Sequence, residues 1–233
     1  MSENNNNEIL NVDNISFSYF KGVNELKVLK NVSFNLKKGE MVALVGPSGS
    51  GKSTLLNLLS LIDTPNSGVI KINDNKIDYK NKIENDNIRA KKIGIIYQDK
   101  NLLSDFSAIE NVYLPNLLLS NDLTLSINLA KKIIKNVGLS SRLNHFPSEL
   151  SGGENQRIAI ARALIISPEI ILADEPTGSL DFENAKQIFE LLLKLKNKKR
   201  IIIFATHNRY FANMADCKIH LIDGKIKVIN AKY

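Results

Sequence analysis

Cysteine is nearly missing: Cys217 is the one thiol in 233 residues. That excludes an internal disulfide and any multi-cysteine metal site, and leaves a small packing residue as the reading of Cys217. No apolar run approaches the roughly 18 to 20 residues needed to cross a bilayer. The opening residues, Met1 to Glu8, lack the basic and apolar regions of a signal peptide and are expected to be disordered. Together these absences predict a chain that stays on the cytoplasmic side. No repeat and no long low-complexity linker divides it.

What is present is ordinary for a globular domain: 43% hydrophobic and 24% charged residues, enough length for a substantial core. The net charge of +7 has two readings. A concentrated basic patch would point to nucleic acid or an anionic membrane surface, whereas lysines scattered among asparagine and isoleucine reflect compositional bias. The densest cluster, Lys194 to Arg200, falls at an expected helix C-terminus, where positive charge is locally favourable.

The richest stretch is Gly46-Pro47-Ser48-Gly49-Ser50-Gly51-Lys52-Ser53-Thr54. It follows an apolar run, Met41 to Val45, that reads as a buried strand, and it leads into a helix-forming run from Leu55. Glycines let backbone N–H groups turn inward, and the helix start adds partial positive charge, so a polyphosphate fits. Lys52 is placed to reach the terminal phosphates, and the Ser53 hydroxyl to help hold Mg²⁺.

From Ile9 to about Lys38 the pattern predicts short strands and turns, with Gly68 to Ile72 joining the same antiparallel layer. Tyr19 reads locally as core or surface filler; upstream of the phosphate loop, its ring is placed to stack on a purine. Ile93 to Tyr97 is a strand ending at Gln98, on the edge of an α/β sheet where ligands bind. From Asp99 to about Ser148 the pattern is mostly helical, with Ala108 to Leu114 and Leu125 to Val137 as helices and Pro115 and Gly138 as punctuation. Leu102, Leu103, Phe106 and Glu110 read either as core of this helical arm or as an attachment surface.

Ser151-Gly152-Gly153-Glu154 then opens the helix beginning at Arg157. Small residues at a helix start expose N–H groups, a second anion-seeking helix end, and Ser151 with Glu154 has the spacing of a capping box. An apolar strand from Glu169 to Ala173 runs into Asp174-Glu175. We assign Asp174 to metal and Glu175 to general base. Asp181 lies in the turn before a helix from Phe182, and His207 stands at the end of a buried strand from Arg200, in position for a γ-phosphate.

Taken in order, the phosphate loop, Gln98, the segment from Leu150 to Gln156, Asp174-Glu175, Ser179-Leu180-Asp181 and His207 resemble the ATP-binding cassette (ABC) ATPase family from about Ile9 to Ile229. The resemblance implies an α/β P-loop NTPase (RecA-like) core with an antiparallel β subdomain and an inserted helical subdomain at about 99–167, all in one domain over 9–229. It implies a homodimer facing head to tail, with each ATP held between one subunit's phosphate loop and the other's Ser151-Gly152-Gly153 segment. Tyr19 would then lie on adenine, Gln98 near Mg²⁺ and the attacking water, and Asp181 at the dimer seam.

Tyr97 to Val112 and His145 to Leu150 are similar to the ATPase of the bacterial lipoprotein-releasing branch. Ala173 to Gly178 is shared more widely, with macrolide-exporter and cell-division relatives, and the ATPase of such an exporter or cell-division complex is the alternative reading within the family. Asn155 and Ser179 depart from what the branch commonly carries. The branch implies permease partners and peripheral attachment at the cytoplasmic face of the inner membrane, with no nucleic acid. Two other classes compete. A soluble ABC protein acting on DNA or ribosomes usually carries a coiled coil or a second cassette, which this sequence lacks. A module that binds ATP without turnover is opposed by intact Glu175 and His207.

Overall fold

In the computed structural model, residues 8–22 and 24–231 are described; the N-terminal stretch read as disordered lies, through residue 7, outside them. In chain order the elements are β1 (Glu8–Lys21), β2 (Asn24–Lys37), β3 (Met41–Val45), α1 (Lys52–Leu59), β4 (Ser67–Ile72), β5 (Asn75–Lys76) and α2 (Lys82–Lys92). They continue with β6 (Ile93–Ile96), α3 (Ala108–Ser120), α4 (Leu123–Asn136), α5 (Gly152–Leu164) and β7 (Ile170–Asp174). The last are α6 (Phe182–Lys194), β8 (Ile201–Thr206), α7 (Arg209–Ala212), β9 (Cys217–Ile222) and β10 (Lys225–Ala231). The chain divides into two compact units, Met1–Asp86 with Lys196–Tyr233, and Asn87–Leu195.

The first unit holds an antiparallel sheet in the order β2-β1-β4-β5, where short strands and turns are expected from the sequence up to Lys38. The structure replaces them with two 14-residue strands. Each is broken by bulges where asparagine takes a left-handed backbone, at Asn14 (φ 51°) and Asn31 (φ 50°). The bulges interrupt the alternation that marks a long strand in sequence, which is why it reads as several pieces. Side chains tie them down: the Asn14 N–H donates to Ser33 Oγ at 2.8 Å, and the Asn31 N–H to Ser16 Oγ at 3.0 Å.

The unit's other strands run β10-β9-β3-β8. β3 lies parallel to both β8 and β9, so it is flanked on both edges, and its first four residues are buried. All six residues of β8 are buried, as expected of a parallel strand covered on both faces. β9 and β10 form the expected hairpin through Asp223-Gly224. Cys217 is buried and free, a packing residue as read.

The second unit pairs β6 with β7 in parallel and carries the helical arm. Ala108 and Val112 of α3, Ala130 and Ile134 of α4, and Ile158 and Ala161 of α5 form one core, each fully buried. Burying such a leucine- or isoleucine-sized side chain contributes about 1.5–3 kcal/mol. That packing overrides Pro115, expected to punctuate the arm but lying inside α3. Asn111, 1% exposed, shapes the loop ahead of α3: its Oδ1 accepts the Leu103 N–H, and its Nδ2 donates to the carbonyls of Leu103, Phe106 and Ser107.

Candidate functional site

In the first unit, the register that sets Val45 beside Thr206 and His220 brings the ends of β3, β8 and β9 to one edge. The phosphate loop leaves β3 there. A side chain on Gly46 would overlap the Leu221 carbonyl oxygen, so the loop passes β9 closely only because this residue is glycine. Gly51, at φ 101°, is the N-cap of α1 and, as a glycine, makes no side-chain capping bond. The first-turn N–H groups, without an N-cap side chain, are available to an anion.

Lys52 is buried and folds back over the loop, its Nζ donating to the carbonyls of Gly46 at 3.0 Å and Pro47 at 2.9 Å. Ser50 Oγ is buried without a hydrogen-bond partner among the described residues. A buried hydroxyl left unpaired costs free energy, which a ligand oxygen would repay. Ser53 is exposed and Thr54 buried, while Pro47, Ser48 and Gly49 are exposed. His207, one residue past β8, shares a cleft of about 540 Å³ with Gly46, Pro47 and Asn208. Tyr19, 45% exposed near the end of β1, stands edge-on to Phe17 with ring centroids 4.9 Å apart.

In the second unit, Ile96 beside Ala173 brings Gln98 and the Asp174-Glu175 pair to one strand edge. Asp174 Oδ1 is buried and has no hydrogen-bond partner among the described residues, a hard oxygen donor matching what Mg²⁺ takes. Glu175 has a left-handed backbone (φ 44°), and its carbonyl accepts the Gly178 N–H at 2.9 Å. Backbone strain of this kind in a non-glycine residue clusters at functional sites.

Two cations that the sequence reading passed over hold this edge. Arg162 of α5 donates to the carbonyls of Lys100 at 2.7 Å and Asn101 at 2.6 Å, just beyond Gln98, and burial pulls its pKa down. Lys100 Nζ in turn donates to Ser179 Oγ at 2.5 Å. A lone arginine within the apolar run Ile158 to Leu164 is the signal that could have found the first. Nothing local marks the second.

The start of α5 is the capping box that its spacing predicts. Ser151 Oγ accepts the Glu154 N–H at 3.2 Å, and Glu154 Oε2 accepts the Ser151 N–H at 2.9 Å. That backbone bond and then the Arg142 guanidinium hold the Glu154 carboxyl down at about 2. Gly153 packs where a Cβ would stand 3.2 Å from Asn184 Oδ1. Asn184 in turn is held by the N-cap Asp181, whose carboxylate accepts its N–H at 3.0 Å and its Nδ2 at 2.6 Å; those bonds lower the Asp181 pKa. The Ser151-Gly152-Gly153 segment and the Asp181 turn are thus one surface.

A family model described as ABC transporter matches residues 29–178, more than half of the chain. The chain belongs to the ABC transporter family. This cassette is 43% identical over 95% of its length, and 99% of the relative's, to the lipoprotein-releasing system ATP-binding protein LolD of Rickettsia bellii (strain RML369-C). It resembles the dimeric post-hydrolysis structure of the ATP-binding cassette MJ0796 bound to ADP and Pi, with TM-score 0.89, 36% identity, and 96% and 98% of the two chains covered. Against cbiO1 from Clostridium perfringens, part of the ABC transporter complex cbiONQ, the TM-score is 0.85 at 28% identity, with 97% and 89% covered. The P-loop cassette fold expected from the resemblance is confirmed, and the ABC cassette is an ATP-binding, ATP-hydrolysing transporter subunit.

The site residues read from the sequence fall into two groups. The phosphate loop and His207 are brought together in the first unit; Gln98, Asp174 and Glu175 meet at one strand edge of the second, where Ser151 to Glu154 adjoin Asp181 on another surface. Leu102 packs on the helical core while Leu103 and Phe106 are exposed. Glu110, another of the candidate attachment residues, is half-buried and accepts the N–H and hydroxyl of Ser107.

Proposed function

We propose that this chain is the ATPase subunit of a lipoprotein-releasing transporter and works as a homodimer on membrane permease subunits. The observation that carries the substrate class is the 43% identity with LolD along nearly the whole of both chains. In this reading residues 9–229 act as one cassette domain, held peripherally at the cytoplasmic face of the inner membrane. No helix among the described residues is long and apolar enough to cross a membrane.

Each ATP lies between the phosphate loop of one copy and the Ser151-Gly152-Gly153 segment of the other. Tyr19 stacks on adenine, the N–H groups of Gly46 to Thr54 cradle the phosphates, and Lys52 moves from the Gly46 and Pro47 carbonyls onto the terminal phosphates. Glu175 takes a proton from the attacking water as the water oxygen bonds to the γ-phosphorus and the bond to the β-phosphate oxygen breaks, releasing ADP and phosphate. Gln98 orients that water, and His207 donates to the γ-phosphate oxygens as their charge shifts. Asp181 meets the partner at the seam.

The orphaned Asp174 carboxylate oxygen fits Mg²⁺, which Ser53, Gln98 and Asp174 would hold. When bound it neutralises charge on the phosphate oxygens. Loss of the γ-phosphate removes the bridge between copies, so opening and closing acts on whatever is attached. In this reading the attachment surface is the exposed Leu103 and Phe106, together with a groove of about 370 Å³ in the same unit, lined by Tyr97, Pro115, Leu118, Leu119 and Arg162. An amphipathic permease helix fits an apolar groove of this kind.

The test is purification of the tagged full chain from membranes with its partners, followed by reconstitution in vesicles carrying a lipidated reporter. Permease co-purification and ATP-dependent release of the reporter are expected. A permease that exports a small amphiphile and leaves the lipidated reporter in place would overturn the substrate assignment.

A further inference from the structure

The box at the start of α5 has a third member that is neither in the helix nor close to it in sequence. Arg142 sits in a short 3₁₀ turn, Ser140–Arg142, and its Nε donates to Glu154 Oε1 at 2.9 Å while Glu154 Oε2 accepts the Ser151 N–H. Both carboxylate oxygens are thereby committed, and Glu154 is held in the one rotamer that closes the box. The consequence falls on Ser151. Its Oγ accepts the Glu154 N–H, so the hydroxyl spends a lone pair on the helix and keeps its proton to donate outward.

We infer that Arg142 is a positioning residue for the Ser151 hydroxyl: through Glu154 it aims the Ser151 O–H at the γ-phosphate of the nucleotide on the opposite copy. This rests on the shared-site reading above and adds to it the group that sets the geometry of the trans donor. The support for Arg142 is itself built. Its guanidinium also lies 3.3 Å from His145 Nε2, and the carbonyls of Leu143 and His145 accept the N–H groups of Ile109 and Ala108, the first two available donors of α3. The start of α3, next to the exposed Leu103 and Phe106, is therefore joined to the Ser151 hydroxyl through Leu143 to His145, Arg142 and Glu154.

The experiment uses the full-length chain carrying Glu175→Gln, so that ATP is bound and retained, and reads ATP-driven dimer formation by sedimentation. Nucleotide affinity of the monomer and the thermal midpoint are read alongside. Arg142→Ala is expected to weaken the ATP-bound dimer about tenfold, the size of one lost charge-assisted hydrogen bond, while monomer affinity for nucleotide is unchanged. In a Glu154→Gln background the same substitution should have no further effect, because Arg142 acts only through that carboxylate. Arg142→Lys, which keeps the ion pair, should restore most of the dimer. A wild-type dimer from Arg142→Ala, or a loss that persists undiminished beside Glu154→Gln, would overturn the inference. Should Arg142→Ala not fold, a weakened dimer from Glu154→Gln together with a near-normal one from Arg142→Lys upholds it, and any other pattern overturns it. Ser151→Ala separates the two claims: if it dimerises normally the shared-site reading fails, and if it does not while Arg142→Ala does, only the role of Arg142 fails.

Discussion

Arg162 and Asn101 are joined by a 2.6 Å hydrogen bond from guanidinium to backbone carbonyl, and a second bond ties the same guanidinium to the carbonyl of Lys100. Both acceptors sit in left-handed backbone, Lys100 at φ 59° and Asn101 at φ 47°. Neither residue favours that conformation as glycine would, so the loop that follows Gln98 keeps its shape because the helix behind it supplies two parallel donors.

Arg162→Met is therefore expected to free that loop. The two carbonyls lose charge-assisted bonds at a partly buried site, a cost of about 2–3 kcal/mol. Arg162→Lys recovers only part, because an ammonium cannot span two acceptors as a planar guanidinium does. Chemical denaturation gives the stability loss, and a kcat reduced more than KM would show that Gln98 is misplaced. An unchanged kcat in Arg162→Met would show that the clamp does not matter to the reaction.

The three helices α3, α5 and α6 each start against a carboxylate whose pKa is depressed: Glu110 by the Ser107 hydroxyl and N–H, Glu154 by the Ser151 N–H and Arg142, and Asp181 by Asn184. A carboxyl whose pKa is lower folded than unfolded stabilises the fold above its unfolded value and loses that contribution on acidification. For Glu154 the window runs from the ordinary 4.5 down to about 2. Thermal midpoints measured through that window should fall with pH, and Glu154→Gln should flatten part of the slope. A parallel slope in the variant would mean that Glu154 is not a source of the acid sensitivity.

Much of this was legible in the sequence, and the exceptions share a cause. The phosphate loop, the Ser151-Glu154 box, Asp174-Glu175 and the β9-β10 hairpin are local: a few consecutive residues and one spacing specify them. The two long strands β1 and β2 were not legible, because bulges at Asn14 and Asn31 break the period of two that reveals a strand. Pro115 misled for a related reason, since the packing of Ala108 and Val112 on α4 and α5 outweighs one missing N–H and is decided by residues far along the chain. Arg142 and Arg162 act over 12 and 61 or 62 positions, distances at which no motif reports a partner.

Asn111 is the polar hub of the helical arm, with four bonds to the segment from Leu103 to Ser107. Asn111→Leu keeps the volume but leaves the Leu103 N–H and several carbonyls without their partner, so a destabilisation of about 2–3 kcal/mol is expected. Asn111→Asp restores the acceptor alone and should fall between. Urea unfolding distinguishes them, and a leucine variant as stable as the parent would show that solvent satisfies the loop.

Gly46→Ala tests the close passage of the phosphate loop. The added methyl meets the Leu221 carbonyl oxygen, backbone that cannot rotate away, so either β9 or the loop must shift. Nucleotide affinity is expected to fall by at least tenfold, measured by titration with a fluorescent ATP analogue. Retained affinity would mean that the loop tolerates a displaced first residue.

The proposed function requires that one copy supply the phosphate loop and another the Ser151 donor. It is tested most directly by ATP hydrolysis per protomer as a function of protein concentration. Rates that climb with concentration and level off as dimers fill, with the climb lost in Ser151→Ala, are predicted. A rate per protomer that stays constant down to concentrations where sedimentation finds monomer alone would contradict it.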